Sequence, residues 1–194
     1  MRWQRKGNCA VPQVADPPQS SGPFAEGREQ SIPEILAAIA AYPTRLVLVT
    51  GGEPMLQHEL PDLLNALLAG GYTVCMETGG HVSLQGLDPR LHKIMDLKCP
   101  SSGMDAHNDY HNIQHLTAKD EVKFVVGNRA DFDWACGLTV QHNLTSRVGA
   151  VLFSPAYNTL PCGDLARWVL ACGLPVRLQL QLHKIIWPGI VRGS

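Results

Sequence analysis

The stretch that decides the fold is Leu46-Val47-Leu48-Val49-Thr50-Gly51-Gly52-Glu53-Pro54. Its four leading apolar residues predict a buried β-strand. The two adjacent glycines then allow a sharp turn and a close approach of the backbone to a ligand, and the proline after the glutamate prevents the strand from continuing. A glycine pair alone most often marks only a turn. A strand that ends in bare backbone and a carboxylate nevertheless suits a polar ligand.

The same strand pattern recurs along the chain and alternates with helical patterns. Apolar runs begin near residues 45, 72, 92, 121, 148 and 176, and helical patterns lie at 60–69, 108–116, 131–142 and 163–171. An earlier helix is predicted from Ser31 to about Tyr42, because a serine N-cap with a glutamate three positions later is a capping box. Strands and helices that alternate at this spacing predict an α/β fold with a parallel sheet.

The composition is that of an ordinary globular protein. The chain has 194 residues, of which 45% are hydrophobic, and a formal net charge of −1. It shows no basic excess for binding nucleic acid and no apolar run near the ~20 residues that a membrane span needs. The N-terminus has no apolar stretch typical of a secretion signal. We therefore expect a cytoplasmic protein with neither nucleic acid nor a membrane as a partner.

The cysteines and the first 23 residues give further expectations. The six cysteines lie at positions 9, 75, 99, 136, 162 and 172, without a C-x2-C or C-x3-C pair. We therefore expect free thiols, with Cys99 partly exposed after its strand. Prolines interrupt residues 1–23, which predicts an irregular, disordered segment. Residues 24–194 then form the α/β domain.

Polar, glycine and proline residues follow the predicted strands. The strand ends are Thr50–Pro54, Glu77–Gly80, Asp96–Gly103, Gly127–Arg129, Ser154–Tyr157 and His183–Lys184. In parallel α/β folds, ligands bind at the carboxyl ends of strands, so we expect several of these residues to face a common cavity. Glu53 suits an ammonium group, and Lys98 or Lys184 suits a carboxylate. This set predicts a polar, zwitterionic or carboxylated ligand.

Other features of the sequence leave alternatives open. His107, His111 and His115 recur at helical spacing, which suits either a metal site or, as we favour, a solvated helix face. Gln179, Gln181 and His183 alternate along the last predicted strand, either as a solvated edge or as a wall of the site. Glycine turns at helix starts also bind phosphate, but the glutamates beside both glycine pairs would repel it.

Several motifs together resemble those of one enzyme family. They are T-G-G-E-P, E-T-G-G, D-L-K-C-P-S-S-G, D-E-V-K-F-V-V-G-N-R-A-D-F, F-S-P and L-Q-L-H-K-I-I-W-P. They resemble the 7-carboxy-7-deazaguanine synthases, which are radical S-adenosylmethionine enzymes of queuosine and deazapurine biosynthesis. The resemblance extends from about Phe24 to Gly189.

The resemblance implies a fold and a reaction. The fold is a partial, open (β/α) barrel of the radical S-adenosylmethionine type. The reaction converts the pterin substrate 6-carboxy-5,6,7,8-tetrahydropterin to 7-carboxy-7-deazaguanine with loss of ammonia. It uses S-adenosylmethionine, a [4Fe–4S] cluster, Mg²⁺ and an electron donor such as flavodoxin, and family members tend to be homodimers.

The resemblance also implies roles for residues at the strand ends. Those that contact the substrate are Thr50, Glu77 and His183. Those that meet the amino group of S-adenosylmethionine are Gly51, Gly52 and Glu53. Those that border the rest of this cofactor are Asp96, Leu97, Lys98, Ser154, Pro155, Ala156 and Tyr157.

The chain departs from the family pattern before Phe24. The family's first strand, its L-Q-G-E-G turn, its C-x3-C-x2-C cluster motif and its magnesium-binding D-T do not occur, and Cys9 is the only cysteine before residue 75. One thiolate cannot hold the cluster, so no metal ligand is assigned and catalysis is predicted to be incomplete. We hypothesise a truncated or frame-shifted gene. The alternative is a cluster-free S-adenosylmethionine-binding or scaffold protein. In either case, residues 45–50 are predicted to form an exposed sheet edge.

Overall fold

The computed structural model describes residues 2–4, 13–14 and 28–186. Three short strands, β1 (Arg2–Gln4), β2 (Gln13–Val14) and β3 (Arg28–Glu29), pair antiparallel in the order β2-β1-β3. The segment 1–23, predicted to be irregular, thus contains two short strands. Its other residues lie outside the described ones, and the domain boundary at residue 24 stays a prediction.

Six parallel strands form the main sheet, and helices alternate with them. The strands are β4 (Leu46–Val49), β5 (Thr73–Thr78), β6 (His92–Leu97), β7 (Glu121–Val126), β8 (Ala150–Pro155) and β9 (Arg177–Leu178), in sequential order across the sheet. The helices are α1 (Ile32–Ala40), α2 (Leu60–Ala69), α3 (Arg129–Gln141), α4 (Leu144–Arg147), α5 (Cys162–Ala171) and α6 (Leu182–Ile186). This architecture confirms the predicted α/β class and is consistent with a partial, open (β/α) barrel.

The described residues fall into two compact units. The first takes in those up to Thr78, Leu87–His92 and those from His183 onward, and the second takes in Gly79–Gly86 and Lys93–Leu182. No helix in the described part of the chain is long and apolar enough to cross a bilayer.

The first unit is built on two amphipathic helices and two strands. Ile35 and Ile39 of α1, and Leu63 and Leu67 of α2, are buried. The predicted capping box is present, since the Ser31 hydroxyl accepts from the Glu34 amide while the Glu34 carboxylate accepts from the Ser31 amide at 2.8 Å. Strand β4 is the first in the sheet order, and Leu46 and Leu48 are 58% and 48% exposed. The predicted exposure of this edge is therefore found.

The second unit has a sheet with one covered and one half-exposed face. Residues 93, 95 and 97 of β6 are buried and residues 92, 94 and 96 are half-buried, and β7 repeats the alternation. Helix α3 packs on the covered face, where Trp134 meets Phe124 edge-on at 6.1 Å between ring centroids. Because side chains alternate along a strand, Asp96 and its register partner Lys123 lie on the half-exposed face.

The last strand is shorter than predicted. Strand β9 ends at Leu178, so the alternating stripe predicted for Gln179, Gln181 and His183 is wrong. The Gln179 amide still donates to the Phe153 carbonyl at 2.9 Å. The next bond of a parallel ladder would need an amide hydrogen on Pro155, which proline lacks. The pairing therefore stops at this point, and α6 begins four residues after β9 ends.

The histidine-bearing segment is not one helix. Residues 105–107 and 110–115 form two separate 3-10 turns. Asn108 between them is extended, with ψ at 121°, and its side chain bonds the backbone of Lys98. The predicted helix over 108–116 is therefore found as a 3-10 helix over Tyr110–His115 and not as an α-helix, and His107 lies outside it.

Candidate functional site

The glycine turn after β4 has the conformation that its residues require. Gly51 and Gly52 have φ angles of 94° and 53°, in the left-handed region that favours glycine. Glu53 is only 5% exposed. Its carboxylate accepts from the Met55 amide at 3.1 Å and from the Thr78 hydroxyl at 2.9 and 3.0 Å. The glutamate therefore fixes the turn.

A second hydroxyl–carboxylate contact joins the ends of β4 and β5. The Thr50 hydroxyl donates to Glu77 Oε2 at 2.9 Å. The structure thus brings together two of the residues for which the resemblance implied substrate contact. Within the first unit, the Thr50–Glu77 and Glu53–Thr78 contacts both connect carboxyl ends of neighbouring strands.

In the second unit, Asp96 is the central charge at the end of β6. Its Oδ2 atom lies 3.0 Å from Lys98 Nζ and 3.7 Å from Lys123 Nζ. Its Oδ1 atom is buried and has no hydrogen-bond partner among the described residues. Buried acceptors are nearly always paired, so this oxygen is an unmet acceptor that a ligand donor would satisfy. Leu97 is fully buried on the opposite face, and only its backbone can contact a ligand beside Asp96.

The post-β6 segment, Lys98–Gly103, is fixed by side chains from outside it. The side-chain amide of Asn108 accepts from the backbone N–H of Lys98 and donates to the Lys98 carbonyl, both at 2.9 Å. The Asp131 carboxylate accepts from the Ser101 amide at 3.0 Å, from the Ser101 hydroxyl, and from the Gly127 amide at 2.8 Å. These contacts hold the position of the backbone that carries Lys98.

The thiol of Cys99 lies inside this segment. Cys99 is 1% exposed, so the expectation of partial exposure is wrong. Burial, with smaller contributions from Asp131 and Asp96, raises the pKa of the thiol well above its ordinary value. Cys75, Cys136, Cys162 and Cys172 likewise form no disulfide bond, in agreement with the expectation for the described cysteines.

The end of β8 carries a buried hydroxyl, and an exposed aromatic residue follows it in the chain. Ser154 is 2% exposed and Pro155 is buried, while Tyr157 is 51% exposed. The Ala156 amide donates to the Val126 carbonyl at 2.8 Å, which fixes the turn to the end of β7. His183 lies in α6, and its side chain is outside the described ones, so its role stays a prediction.

Comparison with known proteins identifies the family. No family model matches the chain, but curated relatives do. A 7-carboxy-7-deazaguanine synthase of Koribacter versatilis is 41% identical over 184 residues, covering 88% of this chain and 81% of that protein. The chain belongs to the 7-carboxy-7-deazaguanine synthase family. Its relatives of that name from Chlorobaculum tepidum and Methanospirillum hungatei are 39% and 35% identical, covering 86% and 82% of this chain and 77% and 66% of their own lengths.

The cluster that the synthase family implies does not fit the residues present. The described residues contain no group of three His, Cys, Asp or Glu that could hold a metal ion. The described cysteines all lie at or after residue 75, and Cys9 lies outside the described residues. Cys99 is buried with a raised pKa, which disfavours the thiolate that iron requires.

Sequence reasoning missed three residues of this site in the synthase chain. Lys123 had a weak signal, because the alternation of E-V-K-F-V-V placed it on the polar face of its strand. Asn108 and Asp131 had none, since their partners lie 10 and 30 residues away in sequence. A residue that acts by binding a distant backbone leaves no local pattern.

Proposed function

We propose that this chain binds S-adenosylmethionine at the carboxyl ends of its strands. The glycine turn and Glu53 contact the amino group of the methionine moiety. The rest of the cofactor is bordered by Asp96, Leu97, Lys98, Ser154, Pro155, Ala156 and Tyr157. The single observation that carries this proposal is the turn at Gly51 and Gly52, where two left-handed glycines precede a buried, fixed carboxylate.

Each contact has a physical basis in the chain's own residues. Glycines without side chains leave backbone carbonyls open to an ammonium group. Lys98 is 39% exposed, so its ammonium can pair with a ligand carboxylate. The buried Oδ1 atom of Asp96 offers an acceptor for a ligand donor. A zwitterionic cofactor matches this arrangement because the strand ends provide both signs of charge.

The substrate and reaction that we propose are those of the family. The reaction is the conversion of 6-carboxy-5,6,7,8-tetrahydropterin to 7-carboxy-7-deazaguanine with release of ammonia. We propose that Thr50, Glu77 and His183 contact the pterin, with the Thr50–Glu77 hydrogen bond orienting both side chains. The intact family enzyme is a cytoplasmic lyase that uses Mg²⁺ and a donor such as flavodoxin, and a homodimer is the proposed assembly.

We also propose that the chain, as its sequence stands, does not complete this reaction. A [4Fe–4S] cluster needs several thiolates, and only one cysteine precedes residue 75. No step through the cluster is therefore assigned to these residues. A second candidate function, a cluster-free protein that binds S-adenosylmethionine or acts as a scaffold, is favoured by the ordered glycine turn in a chain whose described cysteines form no metal group.

Calorimetric titration with S-adenosylhomocysteine tests the binding proposal. We expect the wild-type chain to bind it and Glu53→Gln to lower the affinity about tenfold, since a hydrogen bond to a charged group is lost. Glu59→Gln, at an exposed glutamate just before α2, is the matched control and should bind like wild type. Absence of any binding to the wild-type chain would overturn the proposal.

Reconstitution under anaerobic conditions with iron and sulfide tests the completeness of the site. We expect no stable visible absorption from an iron–sulfur cluster. A cluster that survives gel filtration and supports turnover of the pterin would contradict the proposed incompleteness and leave the binding proposal intact. Binding of S-adenosylhomocysteine without a cluster would favour the second candidate.

A further inference from the structure

Asn108 pairs with Lys98 as a neighbouring strand would. Its side-chain oxygen accepts from the Lys98 N–H, and its side-chain nitrogen donates to the Lys98 carbonyl, each at 2.9 Å. Lys98 is the first residue beyond β6. A single side chain therefore extends the ordered backbone of β6 by one residue, to the position from which the Lys98 ammonium reaches Asp96.

Asp131 fixes the same segment at its other end. Asp131 is 1% exposed. Its carboxylate accepts from the backbone amide and the hydroxyl of Ser101 and from the backbone amide of Gly127. Space at this point is tight, because a Cβ atom on Gly127 would lie 2.7 Å from the Ser101 hydroxyl oxygen. The carboxylate thus joins the post-β6 segment to the turn that follows β7.

We propose that Asn108 and Asp131 are positioning residues for S-adenosylmethionine binding, because together they hold the post-β6 segment in its ligand-binding conformation. This inference rests on the proposed function, in which Asp96 and Lys98 border the cofactor. Neither residue touches the ligand. They set the backbone from which Lys98 projects, and a shift of that backbone moves its ammonium away from Asp96.

A role in general stability is the alternative, and the two roles differ in what a substitution disturbs. A positioning role predicts an opening that is confined to the post-β6 segment and leaves the rest of the unit as protected as before. Cys99 reports on that opening without any ligand, since it is buried and lies between Lys98 and Ser101, the two residues that are held. Cys162 is exposed and Cys136 is half-buried in the same unit, so they act as internal references.

Isosteric substitutions test the proposal without creating a cavity. Asn108→Asp replaces the donor to the Lys98 carbonyl by a second oxygen, and Asp131→Asn turns an amide group toward donors that need an acceptor. Their matched controls are Asn65→Asp, at an exposed position of α2, and Asp133→Asn, at an exposed position of α3. All variants are studied as the full chain.

The first measurement is alkylation of each cysteine, resolved by peptide mass spectrometry. We expect Cys99 to react at least about tenfold faster in Asn108→Asp and Asp131→Asn, since each leaves a buried polar group unpaired. Cys136 and Cys162 should keep their wild-type rates, and neither control should change, whereas the free energy of unfolding of both variants, measured by urea denaturation, should fall by about 1–3 kcal/mol. Unchanged protection of Cys99, or faster reaction at every cysteine with a matching loss of stability, would overturn the proposal.

The second measurement is calorimetric titration of the same variants with S-adenosylhomocysteine. Weaker binding by both variants, at wild-type affinity of both controls, supports the proposal together with the proposed function. Wild-type affinity in a variant with an open segment would refute the positioning role alone. If the wild-type chain itself does not bind, the proposed function fails, whereas the alkylation result still decides whether these residues hold the segment.

Discussion

Strands β6 and β7 carry a lysine–aspartate contact at each end, and the two contacts are built differently. At the amino ends, Lys93 and Asp120 are 5% and 0% exposed, with charged atoms 2.9 Å apart. At the carboxyl ends, Asp96 is 14% exposed and lies near Lys98, which is 39% exposed, and Lys123, which is 16% exposed. The amino-end pair is buried and is called the closed pair below. The carboxyl-end group is partly exposed to solvent and is called the open group.

The two aspartates also differ in how completely their carboxylate oxygens are hydrogen-bonded. Asp120 accepts from the Lys93 amide at 2.8 Å, and from the amide and hydroxyl of Thr117 at 2.8 and 3.0 Å, in addition to the Lys93 ammonium. Asp96 has an oxygen without a partner among the described residues. A buried carboxylate whose bonds are complete serves the fold. One with an open acceptor at the carboxyl end of a parallel sheet suits a ligand, as we propose for Asp96.

The largest loss of stability is expected when the closed pair, Lys93 and Asp120, is disrupted. Asp120→Ala removes the partner of a buried ammonium group, and we expect a loss of about 3–5 kcal/mol in the free energy of unfolding, because the remaining charge is left uncompensated. Urea denaturation measures it. Asp133→Ala, at an exposed pair with Arg129, is the control and should cost less than about 1 kcal/mol. A similar loss in both variants would contradict the distinction.

This pair also shows what the sequence could not predict. The strands, the helices α1, α2, α3 and α5 and the capping box at Ser31 follow from patterns within a few residues. Lys93 and Asp120 are 27 residues apart, and each reads alone as an ordinary surface charge. Nothing local indicates that folding buries them against each other.

The errors at the end of the sheet have a similar origin. The alternating residues after Leu178 predicted a longer strand, but Pro155 on the neighbouring strand cannot donate the next bond. The pattern of residues 108–116 predicted one helix, but Asn108 bonds to Lys98 and a 3-10 helix begins only at Tyr110. In both cases a distant partner overrides a local preference. The candidate site was predicted at the strand ends because fold rules place it there, whereas the residues that fix it came only from the structure.

The stability of the closed pair should depend on pH through the ionisation of Asp120. Burial alone would raise the pKa of Asp120, but hydrogen bonds from Lys93 and Thr117 outweigh burial and hold it below its ordinary value. A carboxyl group whose pKa is lowered in the folded state stabilises the fold fully above its unfolded-state pKa. This stabilisation decreases as the pH falls below the unfolded-state pKa and is lost as the pH falls through the folded-state pKa.

The expected outcome concerns the difference between wild type and Asp120→Asn. The difference in unfolding free energy between the two proteins, called the gap below, should be largest near neutral pH. It should decrease as the pH falls below about 4, the ordinary pKa of aspartate. Urea denaturation at several pH values measures the gap, and subtraction removes the titration of the other carboxylates. A gap that widens toward acid would show that Asp120 is not stabilised in its ionised form.

The smallest expected effect on stability is at the open group. Asp96→Asn keeps the shape of the side chain, and the amide oxygen can take the place of Oδ2 beside the two lysines. The group is more exposed to solvent than the closed pair, so we expect a smaller loss in the free energy of unfolding than in Asp120→Asn. Urea denaturation of Asp96→Asn beside Asp120→Asn makes the same chemical change at both ends of the same two strands.

The open group should instead respond in ligand binding. In Asp96→Asn the amide nitrogen occupies the position of Oδ1, so a donor meets the ligand where an acceptor stood. We expect the affinity for S-adenosylhomocysteine to fall about tenfold, and Asp133→Asn to bind like wild type. A variant that loses stability as Asp120→Asn does, yet binds normally, would reverse the roles of the two ends. One that is stable and binds poorly would show that the same pair of charges stabilises the fold where its bonds are complete and binds a ligand where one acceptor is left open.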